Sequence, residues 1–339
     1  MKNKYLDNGP QHSEGLKSAI LAAYGNITDC SLEFKDAKGV YAKFPFFNVK
    51  SRLFGNRVIS VPFVDVGGVC GSLKSGDLNE LKTKSQFPSE VINVKIDKSL
   101  KNFKKLKSEL LNQGFFEKTN NHQFVLKLKS KDELWKQFHK HTRNDIRKSI
   151  KSGLRLERID SLVKVKNFYG LYLKEMHRFG TPQHSLSFFK ELYANNDIGF
   201  FGFNCYSGEK IIGSIIVLYS GKRGLVFVNV SNPSFRDMRP NDLLYWETLQ
   251  SSIKEEIEYL DLGQVNIGSE KGSREWSLYK FKKKWLAEPY SCSIFISPHE
   301  IASCKSKGSK MKLLRKIWSK LPLFIVKIIG PKIRSGLAI

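Results

Sequence analysis

One order of elements occurs twice along this chain of 339 residues. Three β-rich runs, Ser31 to Lys35, Val40 to Phe47 and Arg57 to Val66, are separated by Asp36-Ala37-Lys38-Gly39 and by Gly55-Asn56, both turn formers. Pro62 makes the third run an edge or bulged strand. A helix at Asp77 to Lys84, a strand at Val91 to Ile96, a helix at Leu100 to Asn112 stopped by Gly114, and a strand near Gln123 to Leu128 complete the first copy. In the second, runs at Ile198 to Tyr206, Ile211 to Tyr219 and Leu225 to Val230 are turned by Ser207-Gly208 and Ser220-Gly221. A helix at Asp242 to Glu256, a strand at Tyr259 to Gln264, a helix at Trp276 to Trp285 and a strand at Ser291 to Ser297 follow. The offset between copies is constant while residue identity across it is poor, so a pattern is duplicated; two unrelated α+β domains are the alternative. The reading is a mixed α+β chain with domains at 1–130 and 131–300, the second opened by helices at Lys131 to Ser152 and Leu162 to His177, and a tail at 301–339.

Hydrophobic residues make up 41% of the chain and aromatics 12%, which excludes a disordered polyelectrolyte; the 57 Lys+Arg against 32 Asp+Glu still leave a net charge of +25. Ten of those cations lie in residues 305–339, which hold no acid. There Met311, Leu314, Trp318 and Leu321 recur at helical spacing while Lys312, Lys316 and Lys320 line another face. Pro322 ends this helix, and a second short apolar segment from Leu323 is closed by Gly330-Pro331. The pattern suits an anionic membrane surface, with Trp318 and Leu321 among the headgroups. Docking on the protein's own core and a nucleic-acid arm are the alternatives. Leu321 to Ile329 is too short to span a bilayer, no signal-peptide core is present, and five scattered cysteines fit a reducing compartment. The expectation is a cytoplasmic protein, peripheral on the inner face of the membrane.

Three strands, then helix, strand, helix and strand, is the element order of the GNAT acyltransferase fold. Arg143-Asn144-Asp145-Ile146-Arg147-Lys148, Met176 to Pro182, Arg239-Pro240-Asn241-Asp242-Leu243-Leu244-Tyr245-Trp246, Leu260 to Gly263, Tyr279 to Trp285 and, in the first half, Leu53-Phe54-Gly55 through Pro62-Phe63 to Gly67-Gly68 stand in one order over about residues 40–297. In these stretches the chain resembles the Fem-type family, whose members build peptidoglycan cross-bridges, and the related PEP-CTERM-associated acetyltransferases of exopolysaccharide clusters. The resemblance implies two tandem GNAT-like domains and transfer of an aminoacyl or acyl group to an amine of a cell-envelope precursor. The implied donor substrate is an aminoacyl-tRNA or an acyl-CoA. A non-catalytic RNA-binding module is the other class the charge permits; DNA is not an expected partner.

The candidate site residues fall into four groups. Between a strand and a helix, Arg236 and Arg239 flank a loop where an anion meets the free N–H groups of a helix start, Pro240 suits the first turn, and Asn241 or Asp242 caps it. The corresponding GNAT loop is Gly-rich and cradles the coenzyme A pyrophosphate; this one lacks the glycines, which favours another donor or pairing through arginine forks. The alternative is surface pairing of these arginines with Asp237 and its neighbours. Asp261 ends a strand, as a base, an orienting group or a turn cap. The resemblance gives Lys282, in the Phe281-Lys282 pair beside Tyr279, an active-site role, where a cation stabilises an oxyanion; a plain solvated basic face is the alternative. Arg143, Arg147 and Lys148 form a basic helix for a phosphate-rich substrate. None of the seven histidines stands in a metal-ligand spacing.

Overall fold

A computed structural model describes residues 9–71, 74, 77, 91–97, 103–112, 114–268, 270–296 and 314–338. The chain opens with α1 (Glu14–Ala23), whose Ser13 hydroxyl caps the Leu16 N–H. Six short strands follow: β1 (Ile27–Asp29), β2 (Leu32–Asp36), β3 (Gly39–Phe44), β4 (Phe47–Val49), β5 (Arg57–Ile59) and β6 (Cys70–Gly71). Then come β7 (Val91–Asp97), α2 (Phe103–Asn112) and β8 (Phe116–Lys127). The second half runs α3 (Lys131–Gln137), α4 (Lys140–Lys151), β9 (Arg155–Arg158), α5 (Leu162–Arg178), α6 (Leu186–Ala194), β10 (Gly199–Ser207), β11 (Lys210–Ser220) and β12 (Arg223–Ser231). It continues with α7 (Pro240–Lys254), β13 (Tyr259–Asn266), α8 (Arg274–Lys284) and β14 (Glu288–Ile296), and α9 (Leu323–Leu337) ends the chain.

The meander expected in the second half is present as β10 to β12, joined antiparallel through its glycine turns. The first half departs from the expected meander. Pro45 offers no N–H to a ladder, so the run Val40 to Phe47 breaks there into β3 and β4. The hairpin β2–β3 pairs with β6 in a separate three-stranded sheet, over a small core of Phe34, Phe44, Phe46, Leu106, Leu110 and Phe295. Of the first six strands, only β1, β4 and β5 enter the main sheet. Strand β5 stops at Ile59, before Pro62, and is paired on both sides, so it is no edge. The helix expected over Lys131 to Ser152 is two, because His139 starts a second one. Apart from Asp77, the helix expected at Asp77 to Lys84 lies outside the described residues.

The main sheet has eleven strands in the order β1-β4-β5-β7-β14-β8-β13-β12-β11-β10-β9. In each half a strand of the meander pairs parallel with a later strand of the same half, β5 with β7 and, across α7, β12 with β13. The last strand of each half lies across the middle: β8 pairs with β13, and β14 lies between β7 and β8. The two copies of the pattern therefore share one sheet. A single aromatic core reinforces the join, uniting Leu16 and Phe47 of the first half with Phe168, Phe188 and Leu218 of the second.

The tail belongs to that core. Trp318, Val326 and Ala338 are buried in it, and no helix among the described residues is long and apolar enough to cross a membrane. Helix α9 runs through Gly330-Pro331 to Leu337 where a stop was expected. Its inner face is held: the Gln183 amide donates to Val326 O at 2.8 Å, and the Arg57 guanidinium donates to the carbonyls of Gly336 and Leu337. A Cβ on Gly330 would collide with the Gln183 amide. Gly330→Ala should therefore displace that amide and cost about 1–2 kcal/mol of stability, a lost buried hydrogen bond plus strain. Urea unfolding together with faster amide exchange across α9 is the measurement; an unchanged midpoint would show that the contact contributes nothing.

Candidate active site

Strands β12 and β13 are paired only from Arg223 to Leu225 against Tyr259 to Asp261. Beyond Asp261, β13 pairs with β8 alone, through a register shift between Asp261 and Gln264, while β12 continues to Ser231 beside β11. The two parallel strands thus diverge into a V with Asp261 at its apex. Gly263 takes a φ of 84° there, a left-handed conformation that favours glycine. A second irregularity faces it, because Phe227 is left out of the β11–β12 pairing between Val226 and Val228. Such a bulge re-aims backbone and side chain locally.

On one side of the V lies a cleft of about 780 Å³. Asn229 and Ser231 of β12, the start of α7, Phe281 of α8, and the arginines Arg178, Arg236, Arg239 and Arg274 line it. Arg239 is the residue before α7 and itself adopts the left-handed conformation, φ 59°. Pro240 stands at the first helical position as expected. The caps differ: Asn241 donates to Ser231 Oγ at 3.0 Å, and Asp242 pairs with Lys284, so neither closes the helix start. Asp145 lies 2.8 Å from Lys284 and 3.5 Å from Arg239. These two acids and two cations balance. Arg178 is engaged by Glu175 at 2.7 Å, so among the described residues of the cleft Arg236 and Arg274 are the arginines without an ion-pair partner. Arg274 and Arg178 both stack on Phe179, 4.5 and 4.3 Å from its ring centre.

A second cavity of about 260 Å³ shares Phe179, Asn229, Val230 and Arg274 with the first. Phe63, Tyr172, His184 and Phe227 make it aromatic, and Arg334 reaches it from α9. Arg334 Nε lies 3.3 Å from His184 Nε2, and burial together with this cation holds the imidazole well below its ordinary pKa. The ring is neutral: Nε2 accepts from Arg334, which leaves Nδ1–H to donate to the Tyr24 hydroxyl at 2.9 Å.

Lys282 and Asp261 line neither cavity, yet they come together behind the apex. Trp285 is fully buried, stacked on Tyr245 and edge-on to Phe138, which fixes the roll of α8. Phe281 and Lys284 then look into the cleft, while Lys282 lies beneath the helix and donates to Gln264 O at 3.2 Å. Asp261 accepts from Gly263 N at 2.7 Å and from the Gln123 amide, and Asp65 accepts from Gln264 N at 2.9 Å. Lys282 Nζ and Asp65 Oδ2 flank Gly263. Burial is the main reason that the Asp261 carboxyl is raised to about 7, and burial lowers Lys282 to about 8. Gln123 Oε1 and Gln264 Nε2 are buried without a hydrogen-bond partner among the described residues.

The remaining sequence candidates sit elsewhere. Arg143 donates to the Trp135 and Lys136 carbonyls, Arg147 stacks on Trp135, and Lys148 is exposed; none lines the cleft. Tyr279 stacks on Trp276. Asp65, Gln123 and Arg274 were missed because no local motif marks them: the loop after β5 brings Asp65 to the seam, the β8–β13 pairing brings Gln123, and the start of α8 carries Arg274 to the cleft.

Fold and site together describe a tandem GNAT architecture. Residues 136–280 match the family model of an acetyltransferase (GNAT) domain. No curated protein matches the chain. Among solved structures it is similar to FemX (TM-score 0.63, 15% identity, 84% of this chain and 90% of that one). It is also similar to the C-terminal domain of a putative lysylphosphatidylglycerol synthetase from Agrobacterium fabrum (0.54, 12%, 89% and 90%). A third is a tandem GNAT protein from the clavulanic acid biosynthesis pathway (0.53, 10%, 83% and 86%). At such identities these likenesses establish fold. The Fem-like GNAT resemblance is borne out in fold, and residues 136–280 carry a GNAT acyltransferase domain.

The raised Asp261 pKa has a signed consequence. Between about pH 4 and 7 the folded protein holds a proton that the unfolded chain has released, so this group's contribution to stability falls as pH rises, by up to about 1.4 kcal/mol per unit. Urea unfolding of wild type and Asp261→Asn at pH 5 and pH 7.5 tests it: the variant should lose less stability between the two. Equal losses would place the carboxyl's titration outside that window.

Proposed function

We propose that the chain transfers an aminoacyl or acyl group to an amine of a cell-envelope peptidoglycan or polysaccharide precursor. The observation that carries this reading is the V between β12 and β13, with an arginine-lined cleft on one side and an aromatic cavity on the other. In this reading the cleft holds the anionic part of the donor on Arg236 and Arg274, with Arg239 shaping the loop. The activated carbonyl passes along the free edge of β12 to Gly263, and the acceptor amine enters from the aromatic cavity. The amine nitrogen attacks the carbonyl carbon. As the oxyanion collapses, the ester C–O bond of an aminoacyl-tRNA, or the thioester C–S bond of an acyl-CoA, breaks. The ammonium proton passes through Asp261 to the departing oxygen or sulfur, and protonated Lys282 stabilises the oxyanion.

The loop before α7 without glycines, and similarity to proteins named FemX and lysylphosphatidylglycerol synthetase, support an aminoacyl donor. The acetyltransferase family match supports an acyl-CoA. Incubating the protein with charged tRNA or with radiolabelled acetyl-CoA, each with an envelope extract, separates the two by which one labels a product. Mass spectrometry of lipid-linked precursors from cells with and without the protein tests the acceptor; an identical pool, with folded protein present, sinks the envelope reading.

The mechanism needs Asp261 ionised and Lys282 protonated, so the rate of transfer should peak between about pH 7 and pH 8. Lys282→Met should remove the alkaline limb and lower the maximal rate about 100-fold. Arg274→Gln should raise the donor KM about ten-fold with little change in kcat, as expected for a lost binding contact.

A further inference from the structure

The inner face of the tail is occupied by the protein's own core, which leaves the opposite face to be explained. Phe324 is 68% exposed and Ile328 65%, and Leu314 and Ile317, in the helical turn at 314–318, are exposed as well. On α9, Phe324, Lys327, Ile328 and Lys332 share one face by their helical spacing. Arg315, Lys316 and Lys320 are exposed beside them, and residues 305–339 contain no acid. Trp318, expected from the sequence among lipid headgroups, is buried instead.

Four large apolar side chains held in water among five cations define what fits them. A second copy of the chain would bring five cations against five. RNA would satisfy the lysines and leave Ile328, Ile317 and Leu314 without a matching surface. An anionic bilayer meets both needs, phosphate at the level of the ammonium groups and acyl chain beneath them. We propose that the outward face of residues 314–332 docks on an anionic lipid surface, with α9 lying flat in the headgroup layer and Phe324 and Ile328 inserted. The same helix carries Arg334 on its inner side into the aromatic cavity, so docking sets the cavity beside the bilayer. The docking itself stands whether or not the proposed reaction does.

Flotation of the full-length protein with vesicles of phosphatidylcholine alone, and of phosphatidylcholine with roughly one-third phosphatidylglycerol, tests the surface. Wild type should float with the anionic vesicles only, and less so in high salt. Phe324→Ser with Ile328→Ser, and separately Lys327→Glu with Lys332→Glu, should each weaken binding at least about ten-fold. Circular dichroism should show both variants folded, since all four side chains point outward. Undiminished flotation of either folded variant, or no flotation of wild type, overturns the proposal. So does tight RNA binding lost only in the glutamate variant, or a dimer in sedimentation lost only in the serine variant.

Discussion

Beyond Asp261, β13 leaves β12 and keeps only β8 as its neighbour. Everything at the site depends on that divergence. A parallel pair that stayed together would bury both edges in hydrogen bonds and leave no path between the faces of the sheet. Because it opens, β12 is left without a strand on that side from Val226 onward among the described residues, and two cavities that share Phe179, Asn229, Val230 and Arg274 form beside the same short gap. The apex is held by a small polar cluster in which the Asp261 carboxyl, the Lys282 ammonium, the Gln123 side-chain amide and the Gln264 backbone carbonyl meet around Gly263. Burying such groups disfavours their charged forms, which is why an acid and a base there approach each other in pKa.

Crossing of the last strands makes this cluster possible. With β8 seated beside β13, Gln123 of the first half reaches Asp261 of the second; with the loop after β5 folded over, Asp65 reaches Gln264. Neither half alone holds the full set. The shared sheet and the shared aromatic core also tie the tail to the same structure, since Val326 and Trp318 pack in the core that holds Phe63 and Phe188 beside the aromatic cavity.

How much was legible varied with how local the cause was. The hairpins β10 to β12 were readable because near-continuous runs of β-branched and aromatic residues and the glycine turns between them act within a few residues of each other. The first-half strands were misjoined because whether a run continues past Pro45 depends on which sheet waits beyond it. Arg236, Arg239 and the start of α7 were found from a strand-to-helix loop, a local feature, and they do line the cleft. The basic run Arg143 to Lys148 was equally visible and faces elsewhere; of that stretch only the acidic Asp145 reaches the cleft ions.

The sequence by itself determined the second meander with the helix, strand, helix and strand that follow it, and the apolar and basic faces of the tail, because periodicity and turn chemistry are written in neighbouring residues; Asp261, expected to end a strand, lies inside β13. Tertiary structure decided what each face meets. Burial of Trp285 turned α8 so that Lys282 points into the seam and Lys284 into the cleft. The core took Trp318 and Val326 and left Phe324 and Ile328 outside. Periodicity reports that a face is apolar; which surface covers it is fixed only when distant segments compete for the same core.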